Sequence, residues 1–325
     1  MRQLILVLFI VLFSNASNAG NLVQLPNDVA SGFGNVWLKS MENGFKKHGY
    51  KIVSSPEPVR LGDKAIKFEV RPGDCGNNGG WDDCKNDRER HELSQIKTLQ
   101  KHGDVHWYAW SIYLPTDIEP IYPVRVHLGQ FHQVKNNVLF LLSWVPYGYH
   151  EGYVIDNQVP GNGHTYQMQT IVPSDTDNGL SIKGRWIDIL IHAKWSHNKD
   201  GFFNIYADQE LKYEWKGQTI AKGDRSHFKF GLYRSFVSRF PGPSNPGPPA
   251  QVVYYDEVRQ SSSLKKVDRV GIARIQEILE AEGLYNSNVD GLWGPNTMKA
   301  VNAYLAKKQL PEVTDYTMGL WSSFR

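Results

Sequence analysis

Between residues 22 and 261, apolar and polar positions alternate in short runs that Gly, Pro, Asn and Asp interrupt. Residues 65–70, 107–114, 138–145, 186–195, 202–207, 227–233 and 251–258 are such runs. A period of two puts successive side chains on opposite faces of a strand. Many short strands separated by turn signals predict a two-sheet β-sandwich. In 186–195, Ile187, Ile189, Ile191, Ala193 and Trp195 share a face that should be core. Asp188, His192 and Lys194, with Trp186 and Leu190, share the other, which should be wet or functional. A weak helical pattern covers 36–47, where a short helix is the marginal reading. The proline-rich run 241–249 cannot join a ladder, because proline lacks the donor, so it reads as a stiff loop.

The pattern changes after Ser261-Ser262-Ser263. Val270, Ile272, Ile275, Ile278 and Leu279 recur at helical spacing, and a second helical pattern covers 297–307. Between them Asp290-Gly291 makes a turn, and Asn296 or Thr297 is placed to cap the second helix. The chain therefore divides into a β domain (20–261), a linker (262–267) and a small α domain (268–325). Residues 1–19 form a leader: Arg2, an apolar run from Leu4 to Phe13, then Ser17-Asn18-Ala19 as a cleavage site. Export to the periplasm or the medium is expected, with cleavage after Ala19 and no membrane anchor.

Composition adds limits. A formal charge of +3 argues against nucleic acid or an anionic membrane as partner, so an acidic polymer would have to be held by a local basic cluster. Ten tryptophans suit either sugar stacking or a large aromatic core. Cys75 and Cys84 flank a Gly- and Asp-rich loop. A local disulfide is the leading reading; two free thiols or an incomplete metal pair are the alternatives.

Three strands offer chemistry on an outward face. Gln130 and His132 are two apart, as are Arg90 and Glu92. With Phe228, Phe230 and Leu232 inward, Lys229 and Tyr233 point outward, roughly 13 Å apart along a regular strand. Cations, His and Tyr together suit β-elimination on a uronate polymer. A cation neutralises the sugar carboxylate, a base takes the proton beside it, and an acid protonates the leaving oxygen. Hydrolysis would call for two carboxylates flanking the bond, and no Glu-x-Asp-x-x-Glu strand occurs. Singly, each of these residues also reads as an ordinary strand histidine, solvated lysine or surface ion pair.

Residues from about 64 to 258 resemble the polysaccharide lyases typified by heparin lyase I and glucuronan lyase. The matching segments are Arg90-His91-Glu92-Leu93, Gly129-Gln130-Phe131-His132-Gln133, 186–196, Lys229-Phe230-Gly231-Leu232-Tyr233 and Tyr254-Tyr255-Asp256-Glu257-Val258. The resemblance implies a β-jelly-roll (concanavalin-like) fold, with catalytic His132 and Tyr233 and a nearby Lys229. It further implies substrate contacts at Arg90 and Gln130, and Lys194, Lys183 or His192 as additional contacts. No cofactor is required for the chemistry. Family members often hold a structural calcium, for which Asp256 is the candidate ligand, as hard oxygen suits that ion. The tail resembles peptidoglycan-binding type 1 modules through Val289-Asp290-Gly291-Leu292-Trp293-Gly294-Pro295-Asn296-Thr297. The expectation is an exported lyase of acidic polysaccharide, tethered to the cell wall. The rival is a non-catalytic glycan- or peptidoglycan-binding protein on the same scaffold.

Overall fold

The computed structural model describes residues 21–34, 36–159, 167–175, 182–241 and 247–324. The leader and the centre of the proline-rich loop lie outside the described residues. Sixteen strands occur among those described. They are β1 (Leu22–Gln24), β2 (Ala30–Ser31), β3 (Val36–Lys39), β4 (Tyr50–Val53), β5 (Ala65–Val70) and β6 (Arg88–Gln95). Then come β7 (Val105–Tyr113), β8 (Arg125–Gln133), β9 (Val138–Val145), β10 (Gly152–Asn157) and β11 (Gln167–Val172). Last are β12 (Trp186–Lys194), β13 (Phe202–Ala207), β14 (Glu210–Lys216), β15 (Ser226–Ser235) and β16 (Gln251–Ser261). One sheet runs β1-β3-β6-β15-β8-β9-β10-β11; the other runs β14-β13-β12-β7-β16-β5-β4, with β2 pairing in parallel to β16. The other pairings are antiparallel, and the whole is a jelly-roll sandwich.

The inward faces are those the alternation predicts. Phe228, Phe230 and Leu232 of β15 and Ile187, Ile189, Ile191 and Ala193 of β12 are buried in the core between the sheets. Much of the aromatic surplus is spent there: Phe228 stacks on Trp110 at 4.9 Å, and Phe140 on Phe203 at 3.8 Å. The helix expected near 36–47 is not formed. Its first residues are β3, where Trp37 is buried and pairs with both β1 and β6. Tertiary pairing outweighs the weak helical pattern.

The tail forms α1 (Arg269–Ala281) and α2 (Pro295–Lys307) around its own core of Ile272, Ile275, Leu279, Val301, Leu305 and Trp321. Asp268 caps α1 by accepting the Gly271 N–H at 2.9 Å. The second cap differs from expectation: Gly294 precedes α2 and Pro295 opens it, whereas Thr297 is buried and donates to the Leu292 carbonyl. Gln276, fully buried, gathers the turn. It accepts the Asp290 and Gly291 N–H groups at 3.0 and 2.8 Å and donates to the Leu292 carbonyl. Gly291 has φ +69°, and a side chain there would strike the Arg269 carbonyl.

The segment expected as a linker is packed structure. Leu264–Lys266 form a turn of 3₁₀ helix, and Val267 is buried against Ala109 and Leu190 on the outer face of the second sheet. Asp188 secures this joint, receiving Arg60 at 2.9 Å and Arg274 of α1 at 2.8 Å. The outer face of β12 is therefore largely a docking surface for the α domain. No helix among the described residues is long and apolar enough to cross a membrane.

Candidate functional site

The register of the first sheet puts the residues proposed for chemistry on one face, spread along β15 from His227 to Tyr233. On β15 and β8, Lys229 lies opposite Gln130, His227 opposite His132, and Tyr233 opposite His127. On the other side of β15, Tyr233 lies opposite Arg90 of β6. All these side chains leave the same face of one sheet, because cross-strand partners point the same way.

The spacing along β15 is not regular. Between Phe230 and Tyr233 it carries two residues where β8 carries one, Leu128, which makes a β-bulge. Gly231 sits there at φ +139°, so close to the His91 carbonyl that a side chain would collide. The hydroxyl of Tyr255, buried in the opposite sheet, donates to the Leu128 carbonyl and lies 2.9 Å from that of Gly231. The bulge re-aims Tyr233, and Tyr255 satisfies the carbonyls it frees.

His132 Nδ1 lies 2.6 Å from the Gln133 carbonyl. A carbonyl only accepts, so Nδ1 carries the proton and Nε2 carries the free lone pair. Burial, and then the nearby Lys229 charge, lowers the pKa of His132 to about 4. Its imidazole is neutral at physiological pH. Burial raises the Tyr233 pKa against the opposing pull of Arg90 and Arg88, so its hydroxyl keeps the proton. That hydroxyl accepts from Arg88 Nε at 3.0 Å, and the ring lies over the Arg90 guanidinium at 3.9 Å. Burial lowers the pKa of half-buried Lys229, with Glu92 opposing.

Arg90 is not an exposed contact. It is buried, holding Asp83 through two bonds of 2.7 and 2.6 Å and Glu92 at 3.2 Å. Gln130, also buried, donates to Glu92 at 2.6 Å. These residues form a polar floor that positions Tyr233 and Lys229. Asp83 was missed from sequence although it neighbours Cys84. Cys75 and Cys84 are disulfide-bonded, which holds the Asp83 loop against β6. Arg88 was also missed, although its spacing from Arg90 and Glu92 announces a shared face.

Lys194 and His192 do not belong to this site. Both lie on β12 in the other sheet, where Lys194 pairs with Asp200 at 2.6 Å and His192 stacks on Trp107 at 3.9 Å. Lys183 lies beside Leu114, at an isolated bridge adjoining that same sheet. Asp256 does not fit a calcium ligand. Its carboxylate accepts the N–H groups of Arg60, Leu61 and Glu257, and burial followed by the Glu257 charge raises its pKa to about 7. His48, Asp74 and His91 converge within 4.8 Å but do not suit a metal either. His91 donates Nδ1–H to the Glu69 carbonyl and accepts the Lys46 N–H, which occupies both ring nitrogens.

Among solved structures, the fold is similar to an endo-β-1,4-glucuronan lyase from the fungus Trichoderma reesei, with a TM-score of 0.52 and 17% identity. That match covers 74% of this chain and 96% of the other. An alginate lyase from Pseudomonas aeruginosa matches with a TM-score of 0.43 and 15% identity, over 61% and 82% of the two chains. A β-glucanase catalytic domain from Podospora anserina matches with a TM-score of 0.45 and 14% identity, over 74% and 91%. No curated protein matches the sequence. The polysaccharide lyase family pattern matches residues 30–259, and the chain belongs to that family.

Proposed function

We propose that the protein cleaves a uronate-containing polysaccharide by β-elimination, with His132 as base and Tyr233 as acid. The observation that carries this reading is the His132 tautomer: Nδ1–H is spent on the Gln133 carbonyl, leaving Nε2 free on the face shared with Tyr233. Nε2 takes the proton from the carbon beside the sugar carboxylate, and the electron pair moves toward that carboxylate. It then forms the ring double bond as the glycosidic C–O bond breaks, and Tyr233 gives its proton to the leaving oxygen. Lys229 makes no ion pair among the described residues, and of the neighbouring cations it acts most strongly on His132. It supplies electrostatic stabilisation where charge develops. Wild-type protein mixed with glucuronan, alginate, heparin-type polymer or hyaluronan should generate the ultraviolet absorbance of a conjugated unsaturated sugar with at least one of them. Binding without product would favour the non-catalytic rival.

The reading includes action outside the cytoplasm, supported by the leader pattern in 1–19 and by the disulfide. It also includes retention on peptidoglycan by the α domain, supported by the resemblance of its 289–297 block. Many residues of that block serve the turn around Gln276, so the block speaks chiefly for the fold. Co-sedimentation of the full chain with purified peptidoglycan tests retention, and a chain that stays in the supernatant refutes it.

A further inference from the structure

Beside Tyr233 the outer face of the same sheet opens into a cavity of about 260 Å³ that the mechanism does not use. His127 connects the two: its ring lies 5.0 Å from that of Tyr233, and it lines the cavity. Arg125, Arg239, Asp156 and Tyr122 also line it. Tyr122 is more than half exposed and meets equally exposed Tyr147, the residue after lining Pro146, edge to face at 6.3 Å.

Two of its lining residues, Arg125 and Arg239, belong to a cationic cluster that Arg88 completes from outside the cavity. The Phe236 ring is surrounded by three guanidinium groups, Arg239 at 3.9 Å, Arg88 at 4.2 Å and Arg125 at 5.7 Å from its centre. None of the three makes an ion pair within 4.0 Å among the described residues, and the carboxylate that acts on Arg125 from within the cavity is that of Asp156. Like charges crowded in this way repel unless an anion lies between them. The turn that gathers them is built for it: Phe236 takes a left-handed conformation, φ 63°, and its N–H donates to the Asp87 carbonyl at 3.0 Å. The Asp87 carboxylate accepts the Ser238 N–H and hydroxyl at 2.7 and 2.8 Å. Strain of this kind persists where surroundings enforce it, often at binding sites.

An independent feature points to a hydroxyl-bearing ligand. Asp156 is buried; one of its oxygens accepts from Gln158 at 2.9 Å, while the other has no hydrogen-bond partner. An unsatisfied buried acceptor is costly and calls for a donor. Guanidiniums for a carboxylate, an acceptor for a hydroxyl and tyrosine faces for a ring together describe one sugar acid.

We propose that Arg125, Arg239 and Asp156 form a subsite for a second uronate, next to the one undergoing elimination, with Arg88 between the two positions. This rests on the lyase reading above. It makes the preferred substrate a polymer in which uronates are contiguous, and disfavours one in which they alternate with neutral sugars.

The test compares the full-length wild type with Arg125→Ala/Arg239→Ala, two exposed positions, after circular dichroism shows an unchanged fold. Initial rates are taken on glucuronan and on hyaluronan, and binding of tetraglucuronate is measured by calorimetry. The expected result is faster elimination on glucuronan, with KM raised about tenfold or more in the double variant, as for loss of charge-assisted bonds, and kcat little changed. An unchanged KM in the variant, or equal rates of the wild type on both polymers, overturns the subsite while leaving the lyase reading intact. If the wild type eliminates neither polymer, calorimetry decides. Tetraglucuronate binding that weakens in the variant supports the subsite, and binding that is absent or unaffected overturns it.

Discussion

At the scale of single residues, the chemistry depends on which nitrogen of His132 is free and at what pH it stays free. With a pKa of about 4, the proposed base is neutral across the physiological range, so the acid limb of kcat/KM should fall near pH 4. His132→Ala should lower kcat by about 10²- to 10⁴-fold while KM changes little, measured as initial rates of unsaturated product. The same shift bears on stability. Burial places the pKa of His127 and of His227 at about 3, below the ordinary value of 6.5. Between those values the unfolded chain binds protons that the native chain does not. Native stability should therefore fall as pH drops from about 6.5 toward 3, and urea midpoints at pH 7 and pH 5 check the direction. That His132, Lys229 and Tyr233 share one face of the first sheet was legible in the sequence because alternation assigns that face, whereas their roles rest on the family resemblance. Lys194 and His192 were misjudged because alternation names a face of a strand without saying to which sheet the strand belongs.

Among the elements, β6 and the disulfide loop act together. Cys84 fixes Asp83, Asp83 holds Arg90, and Arg90 supports the Tyr233 ring. Removing one member of a buried ion pair leaves the other charge uncompensated. Asp83→Ala should cost about 3–5 kcal/mol in urea denaturation. In the fraction that stays folded, kcat should fall more than KM rises, because Tyr233 loses its support. The bulge at Gly231 was not legible: it depends on Tyr255 reaching across from the opposite sheet, and no local pattern encodes that contact. The strand at Val36–Lys39 was hidden for a similar reason, since its partners are β1 and β6 rather than its neighbours in sequence.

For the whole molecule, the α domain is part of the sandwich's surface rather than a loosely tethered appendage. Two domains were legible from the change in periodicity after Ser261. Their docking was not, because Asp188 and Leu190 read equally well as a wet face. Truncation after Ser261 should expose Ala109, Leu190 and Trp107, and the shortened chain should melt at a lower temperature and aggregate. Asp188→Ala should lower the melting temperature of the full chain for the same reason, since it strands Arg60 and Arg274. Melting curves that coincide with wild type would contradict the docked arrangement.

The central claim is bond cleavage by elimination, and the fate of water tests it most directly. Elimination breaks the glycosidic bond without adding water, whereas hydrolysis adds one water molecule to each bond cut. Wild-type enzyme should therefore convert glucuronan in oxygen-labelled water to unsaturated oligosaccharides that carry no label introduced at cleavage, as read by mass spectrometry against unsplit controls. Saturated products, each cleavage having taken up one labelled oxygen, would contradict the account.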